Sequence, residues 1–147
     1  MALDRQGTGL AVARICIGVF FVFEGLGKWR WLLDSSPLAN QLAGWQRTVA
    51  AGSMAARYLS AIAVPGAPLF SRLVPIGEIS CGLALIFGIW TPIFALLAFL
   101  LALNFQFASG ALFRYSFLTS GYGLPVLGTT LALAIGGVRL PWSVRGM

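Results

Sequence analysis

Four apolar stretches, each close to the length that crosses a lipid bilayer, most strongly limit the folds open to this 147-residue chain. A spanning helix needs about 20 mostly apolar residues, within a range of about 17–25. The stretches cover residues 10–27, 73–90, 92–107 and 121–140. Apolar residues make up 59% of the chain and charged residues 10%, whereas soluble domains average about 45–50% and about 25%. The sequence therefore predicts an all-α integral membrane protein, a four-transmembrane-helix bundle in which residues 1–147 form a single membrane domain.

The long connection between the first two stretches has its own helical pattern, over residues 38–63. Leu38, Leu42 and Trp45 fall near one face at helical spacing, which is typical of an amphipathic helix. Gln41 lies away from that face. The segment is too polar to span, so we predict an interfacial helical segment that lies on the membrane. A helix packed over the mouth of the bundle is the alternative.

Small side chains recur at three- or four-residue spacing in the last two stretches. Lipid gives helices no hydrophobic reason to associate, so close packing relies on small residues that let backbones approach. The residues concerned are Ala95, Ala98, Ala102, Gly128, Ala132 and Gly136. We expect both stripes to face neighbouring helices.

Ionisable and polar residues interrupt the apolar stretches near one end of the predicted bundle. A charge at the bilayer centre costs about 2.5–3.5 kcal/mol on insertion scales, so such residues normally face the interior and have partners. Glu24 precedes Lys28 by four residues, the orientation that favours an ion pair on a helix. The alternating directions of the four stretches bring further polar residues to the same depth. The predicted cluster comprises Glu24, Lys28, Glu78, Asn104, Gln106 and Tyr122.

This cluster has three interpretations: a network that locks the helices together, a small-molecule pocket, or a proton path. Two neighbouring carboxylates beside one lysine could share a proton, which raises one pKa. In the pocket interpretation, Lys28, Arg72 and Arg114 attract an anion to this end of the bundle. Arg14 lies about 15 Å from Glu24 at 1.5 Å per residue. We expect its side chain to snorkel towards the opposite membrane face.

The residue types that the chain lacks restrict its chemistry. It has no histidine, which removes the commonest metal ligand, the usual haem ligand and a histidine-activated nucleophile. Cys16 and Cys81 belong to different stretches at different depths, so we expect two unpaired, inert thiols. The net charge of +6 favours anionic lipid head groups, and its ten basic residues are too dispersed for nucleic acid. We predict no metal and no histidine-bound cofactor.

Two segments, ARICIGVFFVFEGLGKW and RLVPIGEISCGLALIFGIWTPIFALLAFLLALNF, place glycines and charges in a recurring order. The first contains Arg14, Gly25 and Lys28, and the second contains the adjacent pair Gly77 and Glu78. In this order and spacing the chain resembles the DoxX family of small four-helix bacterial membrane proteins. The resemblance implies a multi-pass protein of the bacterial cytoplasmic membrane. It also implies a link to the membrane subunit of thiosulfate:quinone oxidoreductase and to membrane redox complexes.

Three functions are compatible with these features. The first is a non-catalytic accessory or assembly subunit of a larger membrane redox complex, which binds other membrane protein subunits and is no enzyme on its own. Small size and the absence of cofactor ligands favour it. The second is a quinone-linked oxidoreductase component, with quinone in the intramembrane polar pocket. The third is a small transporter that uses the same polar cluster.

Overall fold

The computed structural model describes residues 5–144, and this part of the chain is built from helices joined by short turns. The α-helices are α1 Arg5–Gly27, α2 Ser36–Thr48, α3 Met54–Tyr58, α4 Ala67–Phe87, α5 Thr91–Ala108, α6 Tyr115–Thr119 and α7 Leu124–Gly136. A 3₁₀ turn at Trp29–Leu32 follows α1, and a π-helical turn at Leu59–Ala63 continues α3.

Three of these helices are long and apolar enough to cross a membrane, counted over the described residues: α1, α4 and α5. The prediction of a helical membrane protein is confirmed to that extent. The predicted fourth span at 121–140 is not confirmed, because α7 has 13 residues. At 1.5 Å per residue it is about 20 Å long, short of the bilayer's hydrocarbon core of about 30 Å. Its helical bonding stops at Gly136, where Gly137 caps the end.

A tight turn joins α4 to α5. Gly88 and Trp90 both adopt left-handed backbone conformations, with φ of 70° and 42°. Glycine adopts this conformation at little cost, which explains its place at the end of α4. Pro92 lies in the first turn of α5, where its missing N–H leaves no helical hydrogen bond unmade. The hairpin therefore sets α4 and α5 side by side.

The closest helix crossing in the bundle joins α1 to α4 at their glycines. A Cβ added to Gly18 would lie 2.8 Å from the carbonyl oxygen of Gly82. A Cβ added to Gly82 would lie 2.6 Å from the carbonyl oxygen of Gly18. Two turns away along both helices, Gly25 of α1 lies against the backbone of Pro75 of α4 in the same way. Only glycine lets the two backbones approach this closely.

The small-residue stripes behave differently on the two helices that carry them. On α5, Ala95, Ala98 and Ala102 are buried, as predicted. On α7 the prediction is wrong, because Gly128 and Gly136 lie on an exposed face. That helix buries its larger residues instead, namely Val126, Leu127, Thr130 and Leu133. The exposed α7 residues of the stripe are Gly128, Ala132 and Gly136.

Arg14 does not snorkel, and that prediction is wrong: its side chain is fully buried. The segment after α7 folds back over this end of the bundle, where the Val144 amide donates to the Phe87 carbonyl at 2.9 Å. Arg14 donates to the Trp142 carbonyl at 2.9 Å and to the Ser143 hydroxyl. Polar groups of the chain itself thus replace the water that a snorkelling arginine seeks.

The connection between α1 and α4 packs on the bundle. The sequence predicts one helical segment over 38–63, whereas the structure has two helices there, α2 and α3. The chain turns between them, with Gly52 at a φ of 77°. Leu38 and Leu42 of α2 are buried in one apolar cluster with Leu59 and Ala108. The apolar face of α2 therefore contacts protein, which corresponds to the alternative of a helix over the mouth of the bundle.

Candidate functional site

Lys28, which follows the last turn of α1, holds two carboxylates from different helices. Its ammonium nitrogen lies 2.9 Å from each carboxylate oxygen of Glu78 on α4. The same nitrogen lies 3.1 Å from Oε2 of Glu24, one turn earlier on α1. The close approach of α1 and α4 at Gly18 and Gly82 allows these contacts between the two helices. We call Glu24, Lys28 and Glu78 the lysine trio.

The two carboxylates of the trio differ in their surroundings. The Glu78 side chain is only 4% exposed, whereas that of Glu24 is 32% exposed. Lys28, at 16%, lies between them. Glu78 therefore anchors the lysine from inside the bundle, and the Glu24 carboxylate is the more accessible of the two.

Glu24 and Lys28 open into a cavity of about 300 Å³ at this end of the bundle. Residues of α1, α2 and α5, residues just after α1 and α5, and the turn before α7 line it. They are Glu24, Lys28, Gln41, Trp45, Phe105, Gln106, Ser109 and Tyr122. We call this the polar cavity. Its volume is at the lower end of the range of about 300–1,000 Å³ typical of small-molecule pockets.

Aromatic rings form one wall of the polar cavity. Trp45 of α2 and Phe105 of α5 pack edge to face, with ring centroids 5.9 Å apart. The Lys28 ammonium lies 5.8 Å from the centre of the Phe105 ring, within range of a cation–π contact. The cavity is therefore lined by flat aromatic rings on one side and by the charged groups of Glu24 and Lys28.

Two further predicted residues line the same cavity. The side-chain amide of Gln106 donates to the backbone carbonyl of Tyr122 at 3.1 Å, which ties α5 to the turn before α7. Tyr122 lines the same cavity as Glu24. Four of the six predicted cluster residues therefore line one cavity, and Glu78 supports it from behind.

Asn104 does not join them. It lies two residues before Gln106, which turns it about 200° around the helix at 100° per residue. Its side chain instead accepts a hydrogen bond from the Tyr58 hydroxyl at 2.7 Å, on the other side of α5. The prediction that depth alone gathers both amides is wrong for this residue.

The predicted anion site is not assembled either. Arg72 donates to the Pro68 carbonyl of its own helix, and Arg114 lies exposed at the start of α6. Neither lines the polar cavity. Lys28 itself faces two carboxylates, so the trio in its ionised form carries a net charge of −1. This geometry argues against anion attraction by Lys28.

The predicted cluster contains no residue of α2, although a helix packed over the mouth of the bundle is the alternative that the sequence offers for this segment. Gln41 and Trp45 are four residues apart, and so share one face of α2 that covers the cavity. The sequence pattern assigned Trp45 to the apolar stripe and left Gln41 outside it. Ser109 and Phe105 carried no signal beyond their closeness to Gln106.

The cysteines lie outside the polar cavity, and both are unpaired. Cys16 is exposed on α1, and Cys81 is buried in α4. Within the described residues 5–144, no group of three or more acidic, cysteine or histidine side chains is placed to hold a metal ion.

The long apolar helices, and a charged cavity at one end of them, define a multi-pass helical membrane protein with a polar site. The chain belongs to the DoxX family, whose model matches residues 9–111. The matched region contains the whole lysine trio, and Tyr122 lies beyond it. No curated protein and no solved structure matches this chain.

Proposed function

We propose that the polar cavity binds the head group of a lipophilic quinol, and that the chain is a quinone-linked component of the bacterial cytoplasmic membrane. The observation that carries this proposal is the presence of the partly exposed Glu24 carboxylate and the aromatic wall of Trp45 and Phe105 in one cavity. A quinol offers a flat ring for that wall and hydroxyl groups for the carboxylate. The quinone chemistry implied by the family resemblance points the same way.

Hydrogen bonding selects the form of the ligand. Glu24 accepts hydrogen bonds, and the trio's net negative charge disfavours anions such as thiosulfate. A quinol hydroxyl donates to Glu24, whereas a quinone carbonyl oxygen opposite the same carboxylate is repelled. Hydrogen bonds to charged groups contribute about 1.5–3 kcal/mol, so the reduced form is the better ligand. Gln106 and Tyr122 place further polar groups around the bound ring.

Two amides on α5 give a matched test. Gln106 lines the cavity and Asn104 faces away from it. The probe is duroquinol, a chainless quinol, titrated into the detergent-solubilised protein by calorimetry. We expect Gln106→Leu to weaken binding by about 1 kcal/mol, or about fivefold, through the loss of one hydrogen-bonding group. Asn104→Leu leaves the affinity unchanged. Equal affinities for both variants contradict the proposed site.

A second candidate, the accessory or assembly subunit, is favoured by α7. This helix is short, and it exposes the small residues Gly128, Ala132 and Gly136 along one side. Such residues allow another membrane helix to approach closely. Purification in mild detergent followed by mass spectrometry tests it: other membrane subunits should be retained in fixed proportion. A chain that is monodisperse without partners contradicts it. No observation favours the small transporter, which stays a prediction.

A further inference from the structure

A second cavity lies beside the polar cavity, between α1 and the start of α7. It is an open groove of about 540 Å³ with a largely apolar lining. Ala13, Cys16 and Phe20 line it from α1, and Pro125 and Thr129 line it from α7. We call it the α1–α7 groove. Because α1 is long and apolar enough to cross the membrane, we expect the open side of the groove to face lipid.

Tyr122 belongs to both the groove and the polar cavity. On the groove side, the Phe20 ring packs edge to face against the Tyr122 ring at 5.0 Å. On the cavity side, Tyr122 lines the polar cavity together with Glu24. One aromatic side chain therefore separates the lipid-facing groove from the carboxylate.

Another lipid-facing groove, between α4 and α5, has no such connection. It has a volume of about 420 Å³ and is lined by Leu97, Leu100 and Cys81, among others. None of its lining residues also lines the polar cavity. The α4–α5 groove is of similar volume and is the more apolar of the two. Continuity with the polar cavity, and not apolar character, therefore distinguishes the α1–α7 groove.

We infer that the α1–α7 groove holds the hydrocarbon chain of the ligand whose head group occupies the polar cavity. This inference rests on the proposed function, and it adds that the ligand is a membrane-dissolved molecule that arrives from lipid and not from water. The head group passes Tyr122, and the chain stays along α1 between Phe20 and Ala13. Phe20 is seven positions after Ala13, so this part of the groove is about 10 Å long at 1.5 Å per residue.

Two variants and two probes test the groove. Thr129→Trp fills the α1–α7 groove, and Leu100→Trp fills the α4–α5 groove as the matched control. Duroquinol has a head group alone, and a decyl-substituted benzoquinol adds a chain. We expect Thr129→Trp to weaken the chain-bearing probe at least about tenfold, the effect of about 1.4 kcal/mol of steric conflict. Duroquinol binding stays the same, and Leu100→Trp affects neither probe.

The outcomes separate the groove from the proposed function. Suppose that the unmodified protein binds duroquinol and that Thr129→Trp changes the affinities for both probes equally. The groove then does not bind the hydrocarbon chain, whereas head-group binding in the polar cavity is still supported. The groove is also wrong if only Leu100→Trp weakens the chain-bearing probe. If the unmodified protein binds neither probe, both proposals fail. Cys16→Phe enters the same groove from α1, and it provides the same comparison should Thr129→Trp not fold.

Discussion

Replacing Lys28 with methionine is the perturbation that most directly separates the two carboxylates of the lysine trio. The ammonium group lies 2.9 Å from both oxygens of Glu78 and 3.1 Å from Glu24. Methionine is also unbranched and apolar, so Lys28→Met removes the charge while keeping an extended side chain.

The expected magnitude follows from burial. With the Glu78 side chain 4% exposed, loss of Lys28 leaves an uncompensated buried charge, which costs about 3–5 kcal/mol. The Glu24 side chain is 32% exposed, and exposed pairs contribute only about 0.2–1 kcal/mol. Glu24→Gln is therefore the matched control with a small loss. Lys28→Met combined with Glu78→Met removes both buried charges, and should recover about half of the loss or more.

The assay is reversible unfolding by titration with sodium dodecyl sulfate in mixed micelles, followed by tryptophan fluorescence. It compares the free energy of unfolding of the unmodified protein, Lys28→Met, Glu24→Gln and the double variant. A Lys28→Met variant that loses no more stability than Glu24→Gln would show that Glu78 does not depend on the lysine. A double variant that is no more stable than Lys28→Met alone would show the same.

Three further predictions concern the ligand, the helix crossing and the start of α2. Calorimetry should give at least about tenfold tighter binding of duroquinol than of its quinone, a preference that Glu24→Gln reduces. Equal affinities would count against the carboxylate. Gly82→Ala should destabilise by about 1–3 kcal/mol in the same unfolding assay, because the new Cβ meets backbone. Gly128→Ala, which meets open space, is the control, and equal losses would refute the crossing. Hydrogen bonds from the backbone amide and hydroxyl of Ser36 hold the pKa of Asp34 below its ordinary value. The stabilisation is present above the ordinary aspartate pKa and disappears as the pH falls through the lowered one, so the Ser36 amide resonance should titrate there. In Asp34→Asn that titration should vanish, and its persistence would contradict the assignment.

The fold was predictable where composition decides it. Helices α1, α4 and α5 follow from apolar length, and a tight turn before α5 follows from Pro92. The length of α7 was not predictable in this way. Hydropathy measures how apolar a stretch is and does not show where the helix ends, at Gly136 and Gly137. The inward face of α7 also depends on the shape of its neighbours. Small residues identify a face that can pack closely, and the neighbours decide whether it does.

The site was predictable where depth and helical angle agree. Glu24, Lys28 and Glu78 meet because four-residue spacing on α1 coincides with the level of Glu78 on α4. The prediction for Asn104 is wrong because depth in the membrane does not fix the direction of a side chain. Asn104 and Gln106 are two residues apart on the helix and so cannot share a face. Trp45 reaches the cavity through the placement of α2 on the bundle, which is a tertiary contact without a local signal in the sequence.

Photo-cross-linking tests the central claim, a quinol head group in the polar cavity, most directly. A photoreactive quinol analogue is activated with the protein in lipid nanodiscs, and the labelled residues are identified by mass spectrometry. We expect labels on Trp45, Phe105 or Tyr122 that excess duroquinol removes. Labels confined to outward-facing residues such as Leu96 and Ile135, undiminished by duroquinol, would contradict it.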